Sequence, residues 1–389
     1  MKAVEIKNGI YWVGAIDWDL RNFHGYKTQR GSSYNSYLII DDKITLIDNV
    51  KSHFFKEQLQ RISTIVDPAK IDYIIQNHIE MDHSGSLPLI LKHCPNAQVF
   101  ASPKGVEGIP LHYSNNLNLK SVKSGSSLNL GKRTLNFVQT PMVHWPDNMV
   151  SYCPEEKILF SNDAFGQHIS SSERFDDEYT SSINMYEASK YYANIVLPYG
   201  AMVQKALKTV DQLEMEIICP SHGLMWRSHI SDILDKYKIW SKNEVVNKAL
   251  IIYDSMWGST RKIADTIQDV FEESKFSIRK MNLQHNHISD IMTEVLEAKI
   301  ICVGSPTLNN NMMPTVSAFL TYFKGLAPKD RIGLAFGSYG WGGQSTAQVE
   351  KELKSCGFDL LETIRHQYVP TSSDLVTIKD KVKNQIKEL

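Results

Sequence analysis

Cysteine is scarce in this chain. Cys94, Cys153, Cys219, Cys302 and Cys356 are its only five, and each stands alone. An odd number with no Cys-x-x-Cys pair excludes a disulfide framework, a thiolate zinc site and an iron–sulfur cluster. The five read as buried free thiols of a reducing, cytoplasmic compartment. Charge of one sign is also missing: 42 Lys and Arg stand against 43 Asp and Glu, for a net charge of -1. A phosphate-backbone partner, and with it nucleic acid, is not expected. No stretch approaches ~20 unbroken apolar residues, so no membrane span is expected. The opening Met1–Lys7 offers no apolar run for a secretory signal.

What is present is ordinary globular composition spread over 389 residues, enough for two domains. Two rhythms divide the chain. As far as about residue 165, short strands rich in β-branched and aromatic residues are expected at 4–16, 34–40, 43–48, 71–76, 98–101, 134–139, 149–153 and 157–160. Helices are expected near 53–63 and 86–92. Longer helical patterns cover 183–213, where Pro198 should kink the chain, and 225–247, with a short strand at 216–219 between them. From Lys248 strands and helices alternate strictly through five units, the pattern of a doubly wound parallel sheet. The fold class is α/β, with domains at 1–246 and 249–389 divided within the polar stretch Ser241–Lys248.

Histidines and carboxylates of the first domain are not scattered. The run His78-x-Glu80-x-Asp82-His83 follows the apolar strand 71–76, and a turn there can aim several side chains at one point. His144, Asp163 and His222 each follow a further short apolar strand. Imidazoles and carboxylates without thiolates suit iron, manganese or zinc.

In the second domain, strand 249–253 runs into Ser255-Met256-Trp257-Gly258-Ser259-Thr260 and then a helix. Hydroxyls and backbone N–H groups at a helix start make an anion nest, and Gly258 lets the backbone approach a phosphate. A dinucleotide loop would need Gly-x-Gly-x-x-Gly, which does not follow this strand. Two more loops, Ser305-Pro306-Thr307-Leu308-Asn309 and Ser338-Tyr339-Gly340-Trp341-Gly342-Gly343, end strands of the same sheet, at the edge where open α/β sheets bind ligands.

These motifs together resemble the flavodiiron proteins, and the resemblance extends over the whole chain. It implies an N-terminal metallo-β-lactamase-like αββα sandwich and a C-terminal flavodoxin-like five-stranded parallel sheet. Hydrolases of the β-lactamase-like superfamily carry His-x-His-x-Asp-His; here Glu80 stands where the second His would be. By resemblance His78, Glu80 and His144 hold one iron, Asp82, His83 and His222 hold the other, and Asp163 bridges them. His24 and Tyr26 are candidate proton or hydrogen-bond donors beside the pair, and His168 is a weaker candidate. The three loops of the second domain would bind FMN in the flavodoxin manner, with Trp341 or Tyr339 near the ring. The implied activity is four-electron reduction of O2 to water, two-electron reduction of NO to N2O, or both. Electrons would come from an external donor such as a rubredoxin or a reduced deazaflavin, in the minimal two-domain type. A head-to-tail homodimer, or a dimer of such dimers, would place the flavin of one subunit beside the diiron centre of the next. Two other readings stand against this one. One is a dizinc hydrolase with a regulatory flavodoxin domain, and the other is an electron carrier whose first domain only docks partners.

Overall fold

A computed structural model describes residues 1–113 and 117–387. Two compact units emerge, one of residues 1–24, 28–191 and 199–238, the other of 25–27, 192–198 and 239–389.

The first unit is built on two sheets. The larger runs in the order Val4–Lys7, Ile10–Trp12, Tyr37–Ile39, Thr45–Ile47, Tyr73–Gln76, Gln98–Ala101 and Leu119–Ser121. Its first four strands pair antiparallel and the rest parallel. The smaller runs Ser127–Asn129, Thr134–Gln139, Met149–Cys153, Ile158–Asn162 and Ile217–Pro220. Side chains alternate across both sheets, as the period of a strand requires. Tyr37, Ile39, Ile47, Ile75 and Phe100 face inward and meet Phe137, Met149, Phe160 and Cys219 in one core. Leu38, Leu46, Ile74 and Val99 face outward and pack with Ile62, Leu87, Ile90 and Ile109 from helical segments. Helix, sheet, sheet and helix are therefore stacked as the sequence leads one to expect.

The strand expected at 4–16 is broken into three, Val4–Lys7, Ile10–Trp12 and Ala15–Asp17. Gly9 turns at φ +74°, and Gly14 passes so close to Tyr34–Ser36 that a Cβ would lie 2.2 Å from the Tyr34 carbonyl oxygen. The segment around Pro198 bends as predicted. The helix Ser181–Tyr191 widens into a π-turn over Tyr192–Val196 and tightens to a 3₁₀ turn over Leu197–Tyr199, and the helix Gly200–Val210 follows. The helix expected at 225–247 spans only Ile230–Ser241. Met225 and Trp226 instead form bridges to Phe175 and Ile218, so tertiary pairing overrides their local pattern. The helix Pro103–His112 was not expected, because Pro103, Gly105, Gly108 and Pro110 read as breakers; Ser102 caps it through the Gly105 N–H.

In the second unit the sheet order is Ser277–Asn282, Val246–Tyr253, Ala298–Gly304 and Ile332–Tyr339, all parallel. The final strand of the five expected units is split into Asp359–Leu360 and Ile364–Gln367, both on Ile332–Tyr339. The strand order reverses between Val246–Tyr253 and Ala298–Gly304, which is the switch point of a flavodoxin-like sheet. No helix among the described residues is long and apolar enough to cross a membrane.

Gly14→Ala forces a methyl group into main chain that has no room to yield. A cost of about 1–3 kcal/mol is expected, at about 2–4 °C per kcal/mol for a unit of this size. Calorimetry should record a lower midpoint for the first unit's transition and an unmoved one for the second.

Candidate metal centre and flavin cleft

The ligand candidates converge because four strands of the sandwich end at one edge. Asn77–Ser84 follows Tyr73–Gln76, His144 lies between Thr134–Gln139 and Met149–Cys153, Asp163 follows Ile158–Asn162, and His222 follows Ile217–Pro220. The first segment turns sharply, with Glu80 at the N-cap of a one-turn helix, Met81–Ser84, that carries Asp82 and His83.

Seven side chains form two groups, His78, Glu80, His144 and Asp163 in one, Asp82, His83 and His222 in the other. In the first, Glu80 Oε2 lies 3.4 Å from both His78 Nε2 and His144 Nε2. Asp163 Oδ2 lies 3.5 and 3.2 Å from the same two nitrogens. In the second, Asp82 Oδ2 lies 3.3 Å from His83 Nε2 and 3.2 Å from His222 Nε2. The other oxygen of Asp163, Oδ1, completes that group at 3.0 Å from His83 and 3.6 Å from His222. One carboxylate thus turns an oxygen to each group.

All but Glu80 and His144 of these side chains are buried. His78 Nε2, His83 Nε2 and both oxygens of Asp82 and Asp163 have no hydrogen-bond partner. Buried polar atoms are ordinarily satisfied, so an orphaned, convergent set of this kind fits a pair of cations. The outward-facing atoms, by contrast, are held. His78 Nδ1 meets Asp147 Oδ2 at 2.9 Å, and the same oxygen accepts from the Ile79 N–H at 2.8 Å. His222 Nδ1 donates to the Ser33 carbonyl at 2.7 Å. Gln76 Nε2 donates to the carbonyls of His78 and His83 at 2.7 and 2.8 Å. Such outer partners fix imidazole orientation.

His24 Nε2 lies 3.1 Å from Glu80 Oε1, on a side chain that is largely solvent-exposed. Tyr26 is buried, but Gly25–Lys27 packs with the second unit, where the Lys27 N–H donates to Ser289 Oγ at 3.1 Å. His168 is buried with its ring against His222, and Ser32 Oγ lies 2.8 Å from its Nδ1. Burial, reinforced by His222, pushes the His168 imidazole well below its ordinary value. Asp147 escaped sequence reading because a lone Asp in a loop carries no ligand spacing.

The cleft of the second unit has a volume of about 440 Å³. It gathers Ser255, Met256, Trp257 and Ser259 from the first loop, Pro306, Thr307, Leu308 and Asn309 from the second, and Ser338, Tyr339, Gly340 and Trp341 from the third. The remaining residues expected there shape it from behind. Gly258 sits at φ +86° as the cap of helix Ser259–Glu273, and its N–H donates to Ser255 Oγ at 3.1 Å. Thr260 Oγ1 and Ser338 Oγ are 2.9 Å apart. Ser305 Oγ accepts from the Met313 N–H at 2.9 Å. Gly342 lines the adjoining recess and Gly343 caps the helix Gln344–Ser355. Tyr368 and Val369 also line the cleft. They lie at the carboxyl end of the last strand, the same edge as the other loops, which is the signal that could have found them. Hydroxyls, a helix start and aromatic walls fit a phosphate joined to a planar ring.

Burial alone would push the ligand imidazoles down, but their carboxylate neighbours win. Asp147, Glu80 and Asp163 carry His78 up to about 10, Asp163 and Glu80 carry His144 up to about 10, and Asp82 and Asp163 carry His83 up to about 9. Burial would raise the carboxylates, yet the same imidazoles hold Glu80, Asp82 and Asp163 below their ordinary range. These three imidazoles are therefore protonated at neutral pH in the metal-free chain and must lose those protons to bind cations. Anaerobic ferrous loading at pH 7 should release about three protons per chain, and affinity should rise with pH until about 9–10. Calorimetry in buffers of different ionisation enthalpy measures this; loading with no proton release contradicts it.

Comparison with known proteins agrees with both halves. Residues 33–223 match the family model described as ODP family beta lactamase, and residues 251–388 match Flavodoxin. The chain is 43% identical to a nitric oxide reductase of Moorella thermoacetica, covering 96% of each chain. The solved structure of rubredoxin oxygen:oxidoreductase from the anaerobe Desulfovibrio gigas is 40% identical, superposes with a TM-score of 0.96, and is matched over 99% of this chain and 98% of that one. The flavodiiron protein of Giardia intestinalis gives a TM-score of 0.96 at 35% identity, over 99% of this chain and 96% of that one. With a two-sided carboxylate cluster in one unit, a flavodoxin-type cleft in the other and relatives alike over nearly their full length, this chain belongs to the flavodiiron protein family.

Proposed function

We propose that the protein is a diiron flavoprotein oxidoreductase that reduces O2 to water, NO to N2O, or both. Asp163 carries the reading: its two oxygens face two separate ligand groups, which suits a pair of cations held side by side. His78, Glu80 and His144 would hold one iron and Asp82, His83 and His222 the other, with Asp163 between, while the three loops of the second unit would hold FMN. The natural division of the chain on this reading is a diiron domain at 1–246 and an FMN domain at 249–389. When bound, FMN and the iron pair supply two electrons each, matching the four that O2 takes on its way to two waters and exceeding the two that a pair of NO takes to N2O.

The residues of the chain do the rest. Three carboxylates among seven ligands offset most of the charge of two divalent cations, and the imidazoles stay neutral to coordinate. Asp147 holds His78 in the tautomer that leaves Nε2 free for metal. His24, exposed and bonded to Glu80, is placed to carry protons from solvent to the reacting centre. The hydrolase alternative loses ground at Glu80, a carboxylate where those enzymes use an imidazole, and to relatives that bear reductase names over the full length of this chain. The docking alternative leaves the orphaned ligand atoms without a purpose.

The electron donor is read as a rubredoxin or a reduced deazaflavin, the former because one relative's name couples rubredoxin to oxygen. Trp257 and Trp341 flank the cleft at 92% and 91% exposure. Apolar surface of that kind suits a face covered by a partner, and we read that partner as the metal-bearing unit of a second copy in a head-to-tail dimer or a dimer of dimers. The compartment is read as the cytoplasm.

Asp163→Ala removes an oxygen from both ligand groups, and Glu80→Ala removes one from the first. Each variant should keep one FMN per chain and lose more than about 100-fold in O2 or NO consumption, beyond the ~10–100-fold typical of outer-shell changes. Turnover at the parent rate in either variant refutes the assignment. Gly258→Val puts a β-branched residue at φ +86°, although open space surrounds its Cβ. The strain of about 1–3 kcal/mol should weaken FMN binding by roughly ten- to a hundredfold, measured by flavin fluorescence; unchanged affinity contradicts the role given to that turn.

A further inference from the structure

Behind the ligand loops of the first unit lies a small cavity of about 20 Å³, walled by apolar atoms only. Val143, Ala164 and Phe165 form its inner wall. Val143 and Ala164 are chain neighbours of His144 and of Asp163, so the cavity is one residue removed from two of the candidate ligands along the backbone. Val203, Leu207 and Tyr237, from the two helices outside the smaller sheet, form its outer wall. The Tyr237 hydroxyl is occupied, accepting from the Phe165 N–H at 2.7 Å.

An open groove of about 620 Å³ lies outside it, floored by the strand Thr134–Gln139 and walled by the helix Gly200–Val210. Thr140 and Ala206 line both the groove and the cavity. Thr140 and Ala206 therefore form a wall common to the two spaces, and on the Ala206 side that wall carries only a methyl group.

A volume of this size admits about one small molecule, and a water there would need 2–4 polar partners that the wall does not offer. The void is dry by chemistry rather than by size. Uncharged, weakly hydrated diatomic gases lose nothing on leaving water for such a wall and gain dispersion contacts with it. We propose that this cavity is a binding site for an uncharged diatomic gas, O2 or NO, and that gas enters it from the groove past the common wall of Thr140 and Ala206. It concentrates the gas behind the ligand loops, while His24 and Glu80 face the solvent side. The inference rests on the reductase reading for its purpose, but the gas site itself can be tested without turnover.

Crystals of the holoprotein pressurised with xenon should show one xenon atom in the cavity, against Val203 and Ala164. Val203→Phe should fill the cavity and abolish that density, and Ala206→Leu should thicken the wall between groove and cavity. At low gas concentration, both variants should reoxidise the reduced protein about tenfold more slowly, with the rate at saturating gas unchanged, as expected when binding and not chemistry is impaired. Because phenylalanine adds far more volume than the void holds, Val203→Leu serves as the milder variant and should give an intermediate slowing with parent iron and FMN content. A parent crystal with no xenon in the cavity overturns the proposal. So does xenon in the cavity with unaltered low-gas rates in all three variants. Xenon in the cavity of a protein that consumes neither gas leaves the gas site standing and removes the reductase reading.

Discussion

Everything in the first unit is organised around the cost of burying three carboxylates together. Glu80, Asp82 and Asp163 lie within reach of one another at one edge of the sandwich, where mutual repulsion and lost hydration would each push them toward the neutral acid. Three imidazoles set among them, those of His78, His83 and His144, reverse that tendency in the metal-free chain by holding protons, and cations would reverse it in the loaded one. The cluster is thus poised to exchange protons for metal. Apolar packing of similar volume would be a more stable filling; the charged arrangement makes sense as a site.

The rest of the unit keeps those side chains aimed. Four strands end at the same edge, and their ends are tied by side chains rather than by further secondary structure. Asn77 is held through its N–H and its amide by the two oxygens of Asp48, at 2.7 and 2.9 Å. Asn49 donates its N–H to the His83 carbonyl at 2.8 Å, and Asn35 donates to the carbonyls of Pro220 and Gly223 on either side of His222. A shift at any of these ties moves a ligand by the fraction of an ångström that coordination does not tolerate. The second unit solves a different problem with the same economy. Its cleft needs no buried charge, only hydroxyls and N–H groups at a helix start and aromatic walls above them.

Much of this was legible in the primary structure. Strands such as Gln98–Ala101, Thr134–Gln139 and Met149–Cys153 fall where their composition places them: the first and last are buried on nearly every residue, and the middle one buries Leu135 and Phe137 on a single face. The spacing of His78 to His83 and the loops after the parallel strands were visible because their chemistry is local. What escaped depends on distant partners. Met225 and Trp226 read as helix, but Met225 bridges to Phe175, remote in sequence, and Trp226 folds back onto Ile218 of the strand just before it. Asp147 reads as an ordinary loop aspartate until the fold brings it to His78. Tyr368 and Val369 carry no motif and join the cleft only through the position of the last strand. Gly258 was legible as a glycine the turn needs, and its left-handed backbone is a further reason for it that composition does not reveal.

The account stands or falls on whether one chain carries both an iron pair and a flavin that empty their electrons into a diatomic gas. Protein purified anaerobically from iron-replete cells should contain two irons and one FMN per chain. After full reduction, stopped-flow mixing with O2 and, separately, with NO should reoxidise both centres together on a millisecond scale, and the ratio of the two rates identifies the preferred gas. Two zinc ions beside a flavin that neither gas reoxidises would contradict the account and restore the hydrolase reading.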